Sequence, residues 1–145
     1  MNIDEIHEMW KEDCQIDDDH LDTESIKTPN LHAKYLRIVM NFKMKLSALQ
    51  VEYNTLRQKK FRYYRGEMGK DELTELGWQQ WQGVKPLKNE MEEFLEGDAD
   101  LNKINMKCEY IKHVIEALDS IMSQLKARDW QIRNSIEWKK FIAGS

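Results

Sequence analysis

The sequence contains few of the residues that disulfide frameworks, many-turned sheets or membrane spans require. Its 145 residues include two cysteines, two prolines and six glycines, and no apolar run is long enough to cross a bilayer. Cys14 and Cys108 lie far apart, so we expect two small buried thiols in a reducing intracellular compartment, with no recognisable signal peptide. With 41% hydrophobic and 33% charged residues, the composition predicts one domain of long, surface-rich α-helices.

Charge is segregated along the chain, although the formal net charge is only −4. Residues 1–26 hold ten acids against one base, and residues 71–100 hold nine acids against two bases. Residues 34–70 instead hold ten bases against two acids, a local net charge of +8, and residues 101–145 are mildly basic. Because binding depends on the field over the contact surface, an acidic protein of this kind can still bind a polyanion through residues 34–70.

Apolar spacing predicts a short N-terminal helix followed by a long one. Apolar residues recur at helical intervals over residues 3–14, and the acidic stretch DDDHLDTES after them is typical of a linker. Thr28 followed by Pro29 predicts the start of the long helix. Its apolar stripe covers residues 31–63, is interrupted where Lys60 replaces a hydrophobe, and ends at two glycines.

Two more helical patterns follow in the second half of the chain. Residues 71–95 predict a helix capped by Asp71, with a break or kink near Gly83 and Pro86. Residues 101–125 carry an unbroken heptad stripe, for which packing within the chain is favoured over a seam between subunits. The stripe consists of Leu101, Ile104, Cys108, Ile111, Ile115, Leu118, Met122 and Leu125.

The C-terminal segment holds more large apolar side chains than one face of a short helix can bury, which indicates a contact between subunits. The candidate interface residues are Trp130, Ile132, Ile136, Trp138 and Phe141. The predicted organisation is therefore a short acidic amphipathic helix and linker over 1–26, a core of long antiparallel helices over 27–128, and an oligomerisation helix over 129–145.

Residues 56–70, LRQKKFRYYRGEMGK, interleave cations with aromatic rings at the end of the long helix. Single-stranded nucleic acid needs this combination, because phosphates pair with Lys and Arg while unpaired bases stack on flat rings. A merely solvated helix face can look the same. Helical angles place Tyr63 near the buried stripe and leave the remaining candidates on its flanks. The candidate DNA-binding residues are Arg57, Lys59, Lys60, Arg62, Tyr64 and Arg65.

Catalytic and metal-binding patterns are not found in the sequence. The four histidines lack metal-ligand spacing, and the run Asp17 to His20 lacks the glycine and distal glutamate of a calcium loop. Phosphate-cradling glycine loops, nucleophile elbows and Cys-Xaa-Xaa-Cys pairs are missing too. We therefore predict a non-enzymatic protein without a cofactor or metal.

Three motifs in order, RQKKFRYYRGEMG, DELTELGW and ARDWQIRNSIEWKKFIAG, resemble the UvsY family, the recombination mediators of tailed bacteriophages. The resemblance covers the chain from about residue 30 to its end. It implies a closed ring of about six or seven subunits that binds single-stranded DNA in the cytoplasm of the infected host. The family's two basic DNA contacts fall here on Gln58 and Lys60, so one is replaced by glutamine, and Arg57 and Lys59 lie beside it.

The resemblance also implies protein partners. A mediator of this family helps a RecA-like phage recombinase to displace the phage single-strand DNA-binding protein, and then stabilises the recombinase filament. The alternative is a helical scaffold or adaptor oligomer that does not bind DNA and whose basic face meets an acidic protein. A duplex-binding regulator is a third class, but it needs a recognition helix that presents polar side chains to base edges.

Overall fold

In a computed structural model that describes residues 1–144, every regular element is an α-helix, as the composition predicts. None of the helices in this range is both long and apolar enough to span a membrane. The helices are α1 (Ile3–Asp13), α2 (Leu21–Tyr64), α3 (Lys70–Leu76), α4 (Met91–Glu96) and α5 (Ala99–Ile142).

The chain divides into two compact units. One combines Met1–Met44 with the segment from Ile111 onward, and the other is the continuous stretch Lys45–Tyr110. We call them the terminal unit and the central unit. Both long helices, α2 and α5, contribute residues to each unit, so the division does not follow helix boundaries.

The predicted N-terminal helix is confirmed as α1, and it is held at both ends. A capping box joins Asn2 and Glu5 at its start, which satisfies two backbone N–H groups that a helix otherwise leaves open. Near its end, the ring of Trp10 meets that of Tyr35 edge-on at 5.4 Å. The Tyr35 hydroxyl donates a 2.8 Å hydrogen bond to Asp13. Tyr35 is fully buried, so these contacts fix α1 to α2 within the terminal unit.

The long helix α2 begins at Leu21 and not at Thr28, so the sequence-based start was wrong and Pro29 lies inside the helix. A proline in that position lacks an N–H and crowds the preceding turn, which costs about 3 kcal/mol. A buried ion pair stabilises these first turns: Arg128 donates to the Glu24 carboxylate at 2.5 Å and to the Thr28 hydroxyl at 2.9 Å. The partner that keeps this turn helical therefore comes from α5.

The heptad stripe of α5 is confirmed in its main part and shifts by one residue in the middle. Val114 and Ile121 are buried where Ile115 and Met122 were predicted. A shift is expected because a straight helix of 3.6 residues per turn drifts away from a 3.5-residue repeat. The stripe then continues to Arg128 and Ile132 in one uninterrupted helix. The stripe positions confirmed as buried are Leu101, Ile104, Cys108, Ile111, Leu118 and Leu125.

The predicted break near Gly83 and Pro86 is confirmed, but it is longer than expected, and the N-cap of α3 is Gly69 and not Asp71. Only α3 and α4 form, and residues 77–90 between them are not helical. Gly77 ends α3 in the left-handed region with φ 71°, a conformation that glycine adopts without strain. Trp81 lies in the non-helical segment and packs edge-on against Tyr64 and Phe94. This aromatic cluster holds the segment in place without helical hydrogen bonds.

Candidate nucleic-acid interface

The basic segment occupies the last turns of α2 and the loop that follows, all within the central unit. Gly66 turns the chain with φ 70°. A side chain on Gly66 would also stand 3.2 Å from Cε of Lys85, so the loop brings a lysine from residues 77–90 against the basic segment. The structure therefore adds a second stretch of chain to the predicted site.

Lys60 lies inside the central unit and does not face solvent. Only 6% of it is exposed. Its ammonium group lies 3.2 Å from an Asp98 oxygen and 2.8 Å from an Asp100 oxygen. The same group stands 4.3 Å above the centre of the Trp78 ring, where the negative face of the ring attracts it. A cation neutralised in this way is not accessible to a DNA phosphate.

Tyr64 is also buried, and its ring belongs to the core of the central unit. Its hydroxyl donates a 2.7 Å hydrogen bond to Asp98, and its ring centre is 4.9 Å from that of Trp81. Burial, together with this hydrogen bond to a carboxylate, raises the pKa of the Tyr64 hydroxyl. Tyr64 therefore presents no open face on which a base could stack.

Asp98 connects Lys60 and Tyr64 and also caps α5. Its carboxylate accepts hydrogen bonds from the backbone N–H groups of Asp100 and Leu101, each at 3.0 Å. Burial opposes ionisation of Asp98, but the hydrogen bonds from Tyr64, Leu101 and Lys60 outweigh it and lower its pKa. The charged form of Asp98 is therefore part of the folded state.

Replacing Asp98 by asparagine should make the protein less stable at neutral pH and less sensitive to acid. A carboxylate whose pKa is lower in the folded protein stabilises it above the unfolded-state pKa of about 3.9, and this stability is lost as pH falls. We expect Asp98→Asn to cost about 1–3 kcal/mol at pH 7, because asparagine keeps the cap but loses the charge-assisted hydrogen bonds. Urea unfolding of the parent and of Asp98→Asn between pH 7 and pH 3 measures the difference in their free energies of unfolding. This difference should become smaller below about pH 4.

The exposed Asp119 on α5 provides the matched control. Asp119→Asn should change the free energy of unfolding by less than roughly 0.5 kcal/mol at every pH. A stability difference between Asp98→Asn and the parent protein that stayed constant down to pH 3 would contradict the role assigned to the Asp98 charge.

The three arginines of the candidate site lie at the surface, and each is paired with a glutamate. Arg57 pairs with Glu92 and Arg65 with Glu67. Arg62 binds both carboxylate oxygens of Glu72, at 2.9 and 2.7 Å, and these hydrogen bonds lower the pKa of Glu72. Solvent-exposed ion pairs of this kind contribute little to stability, so a phosphate group can replace the glutamate.

Four lysines of the segments 56–70 and 77–90 have no such partner. Among residues 1–144, no carboxylate lies within 4.0 Å of the ammonium groups of Lys59, Lys70, Lys85 and Lys88. Sequence reasoning overlooked Lys85 and Lys88 because they are the two bases of the acidic stretch 71–100. Only their proximity to Gly66 and to Phe61 in the folded chain reveals them.

Phe61 is the aromatic residue that the sequence analysis missed. Its ring is partly exposed and packs against the buried cluster that contains Tyr64 and Met91. It lines two open hollows, one of 390 Å³ and the other of 450 Å³. The first is lined by Arg57, Gln58 and Arg62, and the second by Arg65, Lys88 and apolar side chains. The structure thus places a partly exposed ring among cations at Phe61, a residue that the sequence-based candidates did not include.

The candidate interface residues at the C-terminus differ sharply in their exposure. Ile132 is 3% exposed and packs within its own chain, whereas Trp138 and Phe141 are 61% and 72% exposed. Those two rings stack on each other, with centres 5.6 Å apart. Trp130 and Ile136 are exposed as well. Four of the five residues are therefore available for contact with a second subunit, whereas Ile132 is buried within its own chain.

Comparison with known proteins gives a consistent match over the whole chain. The family described as "Recombination, repair and ssDNA binding protein UvsY" matches residues 9–145. The recombination protein uvsY of Enterobacteria phage T4 is 22% identical over 144 residues, which are 99% of each protein.

Two crystal structures of the bacteriophage T4 recombination mediator protein UvsY share the fold. In lattice type II the TM-score is 0.85 at 20% identity, covering 99% of this chain and 98% of that one. In lattice type IV the TM-score is again 0.85, at 19% identity, with 97% and 99% covered.

Proposed function

Because the chain belongs to the UvsY family of recombination, repair and single-stranded-DNA-binding proteins, we propose that it binds single-stranded DNA through the central unit and acts as a recombination mediator. The observation that supports this most directly is the group of exposed cations around the open ring of Phe61. The cations can pair with phosphates, and the ring can stack on a base. Binding without sequence preference does not require a helix that recognises base edges.

The proposed contacts differ in part from those predicted from sequence. Lys60 and Tyr64 are assigned to the fold, since both are buried and bound to Asp98. Gln58 is exposed beside Arg57, so the charge that the family carries at this position is supplied by its neighbours. The proposed phosphate-binding residues are Arg57, Lys59, Arg62, Arg65, Lys85 and Lys88.

As a mediator, the protein would act without catalysis of its own. We propose that it helps a RecA-like phage recombinase to replace the phage single-strand DNA-binding protein on the strand. Several copies, about six or seven in a closed ring, would present the same patch repeatedly along one strand. Weak contacts on each subunit then combine into a high effective affinity. The segment 129–145 is the proposed site of self-assembly.

Binding of an oligothymidine should weaken steeply with salt, because each phosphate neutralised contributes about −0.7 to the slope of log affinity against log salt. The double variant Lys59→Ala with Lys88→Ala should bind more weakly, and its slope should be smaller in magnitude by about 1.4 for each subunit that the strand contacts. Lys88 is exposed, Lys59 is only partly buried and neither is paired, so the helical circular dichroism should not change. Fluorescence titration at four or more salt concentrations measures both quantities.

The matched control is Lys103→Ala with Lys107→Ala, which removes the same charge from exposed positions of α5 in the central unit. It should retain the parent slope and affinity. Equal losses in both double variants would show that total charge, and not this surface, governs binding.

The mediator role is tested on a strand coated with the single-strand DNA-binding protein. There the parent protein should shorten the lag before the recombinase hydrolyses ATP, and an unchanged lag would refute the mediator role.

A further inference from the structure

On the premise of the proposed function, we infer that Phe61 is a base-stacking platform, and that one unpaired nucleobase enters the hollow between Phe61 and Leu87. This hollow, of 450 Å³, has an apolar floor formed by Phe61, Pro86, Leu87 and Met91. Small-molecule sites have volumes of about 300–1,000 Å³, so the space is sufficient for a flat aromatic ligand of this size class.

The rim of the hollow carries the charge that a nucleotide requires. Arg65 and Lys88 both line it, and the Arg65 guanidinium lies 5.4 Å from the centre of the Phe61 ring. A guanidinium stacks on aromatic faces, so in the unbound protein Arg65 occupies the place over Phe61 that a base would take. A base that stacks there displaces the guanidinium, which is then free to pair with the attached phosphate. An apolar floor with a cationic rim fits a base with its attached phosphate better than it fits a purely aliphatic side chain.

Phe61 also lines the second hollow, which would extend the path of the strand. Arg57 and Arg62 line it together with the uncharged Gln58. Arginines suit the phosphates that flank a stacked base, and the Gln58 amide can donate to a phosphate or meet a base edge. Phe61 thus lines both a hollow suited to the backbone and a hollow suited to a base.

The position of Phe61 in the fold supports a binding role for the ring. It packs against the cluster of Tyr64, Met91, Leu95 and Leu101 yet remains partly exposed. A ring held by a packed core loses little freedom when a base stacks on it, and this reduces the entropic cost of binding. The apolar side chain of Leu87, which lines the same hollow, is 64% exposed. A bound base would cover part of it.

The experiment compares two strands of equal length and charge, an oligothymidine and an abasic oligonucleotide with the same sugar-phosphate backbone. The parent protein should bind oligothymidine at least tenfold more tightly, because each stacked base adds measurably to affinity. Phe61→Leu keeps the apolar packing but removes the ring, so its affinity for oligothymidine should fall about tenfold while that for the abasic strand is unchanged. Phe61→Tyr should bind as the parent does.

The possible failures are distinguishable. If neither strand binds to the parent, the proposed function itself fails. If both bind equally and Phe61→Leu alters neither, DNA binding stands and only the base site is refuted. Equal losses on both strands in Phe61→Leu also refute it, since they indicate a general structural effect. Photocrosslinking of a strand that contains 5-iododeoxyuridine should label the peptide around Phe61 or Leu87 in the parent protein, and labelling confined to other peptides overturns the assignment.

Discussion

Replacing Trp138 and Phe141 together by serine is expected to reduce the proposed assembly to single chains of 17.4 kDa. The two rings are stacked on each other and largely exposed, so they contribute little to the stability of the isolated chain. Full burial of each side chain against a partner is worth about 1.5–3 kcal/mol. Losing both side chains from every contact in the proposed ring should remove enough free energy to dissociate it at micromolar concentrations.

Sedimentation velocity measures the mass, and circular dichroism confirms that the helices remain. The control replaces Met44 and Met106 by serine, two apolar side chains that are exposed to a similar degree, 70% and 73%, on other parts of the chain. That variant should keep the parent mass. A Trp138 and Phe141 variant that sediments with the parent mass would refute the assembly role of the C-terminal segment.

The same variant should lose affinity for single-stranded DNA although every proposed DNA contact is intact. In an assembled ring the second and later contacts with a strand are intramolecular, and dissociation to single chains removes that advantage. A loss of about 1.4 kcal/mol already weakens binding tenfold, and we expect at least this much. If single chains bound as tightly as the assembly, multivalency would play no part and the proposed mediator mechanism would lose its physical basis.

Lys60→Ala is expected to destabilise the fold by about 3–5 kcal/mol, because it leaves the Asp98 carboxylate buried without its cation. Both side chains are nearly inaccessible to solvent. Tyr64 and the N-terminal backbone of α5 would still donate hydrogen bonds to Asp98. The expected loss of stability is therefore nearer about 3 than about 5 kcal/mol. Urea unfolding followed by circular dichroism measures the change, and the midpoint should fall without a large change in slope.

The neighbouring lysine provides a sharp control for this prediction. Lys59→Ala removes the same side chain from the next residue, where it is only partly buried and unpaired, and should change stability by less than roughly 0.5 kcal/mol. The two substitutions should therefore separate fold from function: Lys60→Ala lowers stability, and Lys59→Ala lowers DNA affinity. A Lys60→Ala protein with normal stability would show that Lys60 is not a structural cation.

Local sequence patterns predicted most of the helical residues but not the partners of the polar ones. The apolar stripe of α2 was correct, and Lys60 stood in it as the single cation. The sequence analysis nevertheless assigned Lys60 to the DNA-binding face, whereas the structure buries it. Its partner Asp100, however, lies 40 residues away, and no periodicity connects the two. The choice of Tyr64 over Phe61 as the open ring failed for the same reason, because burial of Tyr64 depends on Trp81 and Asp98.

The start of α2 was missed because a long-range contact outweighs a local signal. Thr28 and Pro29 are a strong local start signal, yet the helix extends back to Leu21. Arg128, which stabilises that extension, is 104 residues from Glu24 in the sequence. The segment 77–90 likewise depends on ring contacts with Tyr64 and Phe94. Both errors concern contacts that appear only when the helices have come together.

The pairing of the surface arginines has a consequence for the proposed binding of DNA. In that complex, a phosphate that bound Arg62 would break the ion pair with Glu72 and leave the freed carboxylate beside the strand. The same exchange would apply at Arg57 and Arg65, and repulsion between the freed glutamates and the phosphates would offset part of the attraction. Lys59 and Lys88 would neutralise phosphates without this loss. Each unpaired lysine would therefore contribute more to binding than each paired arginine.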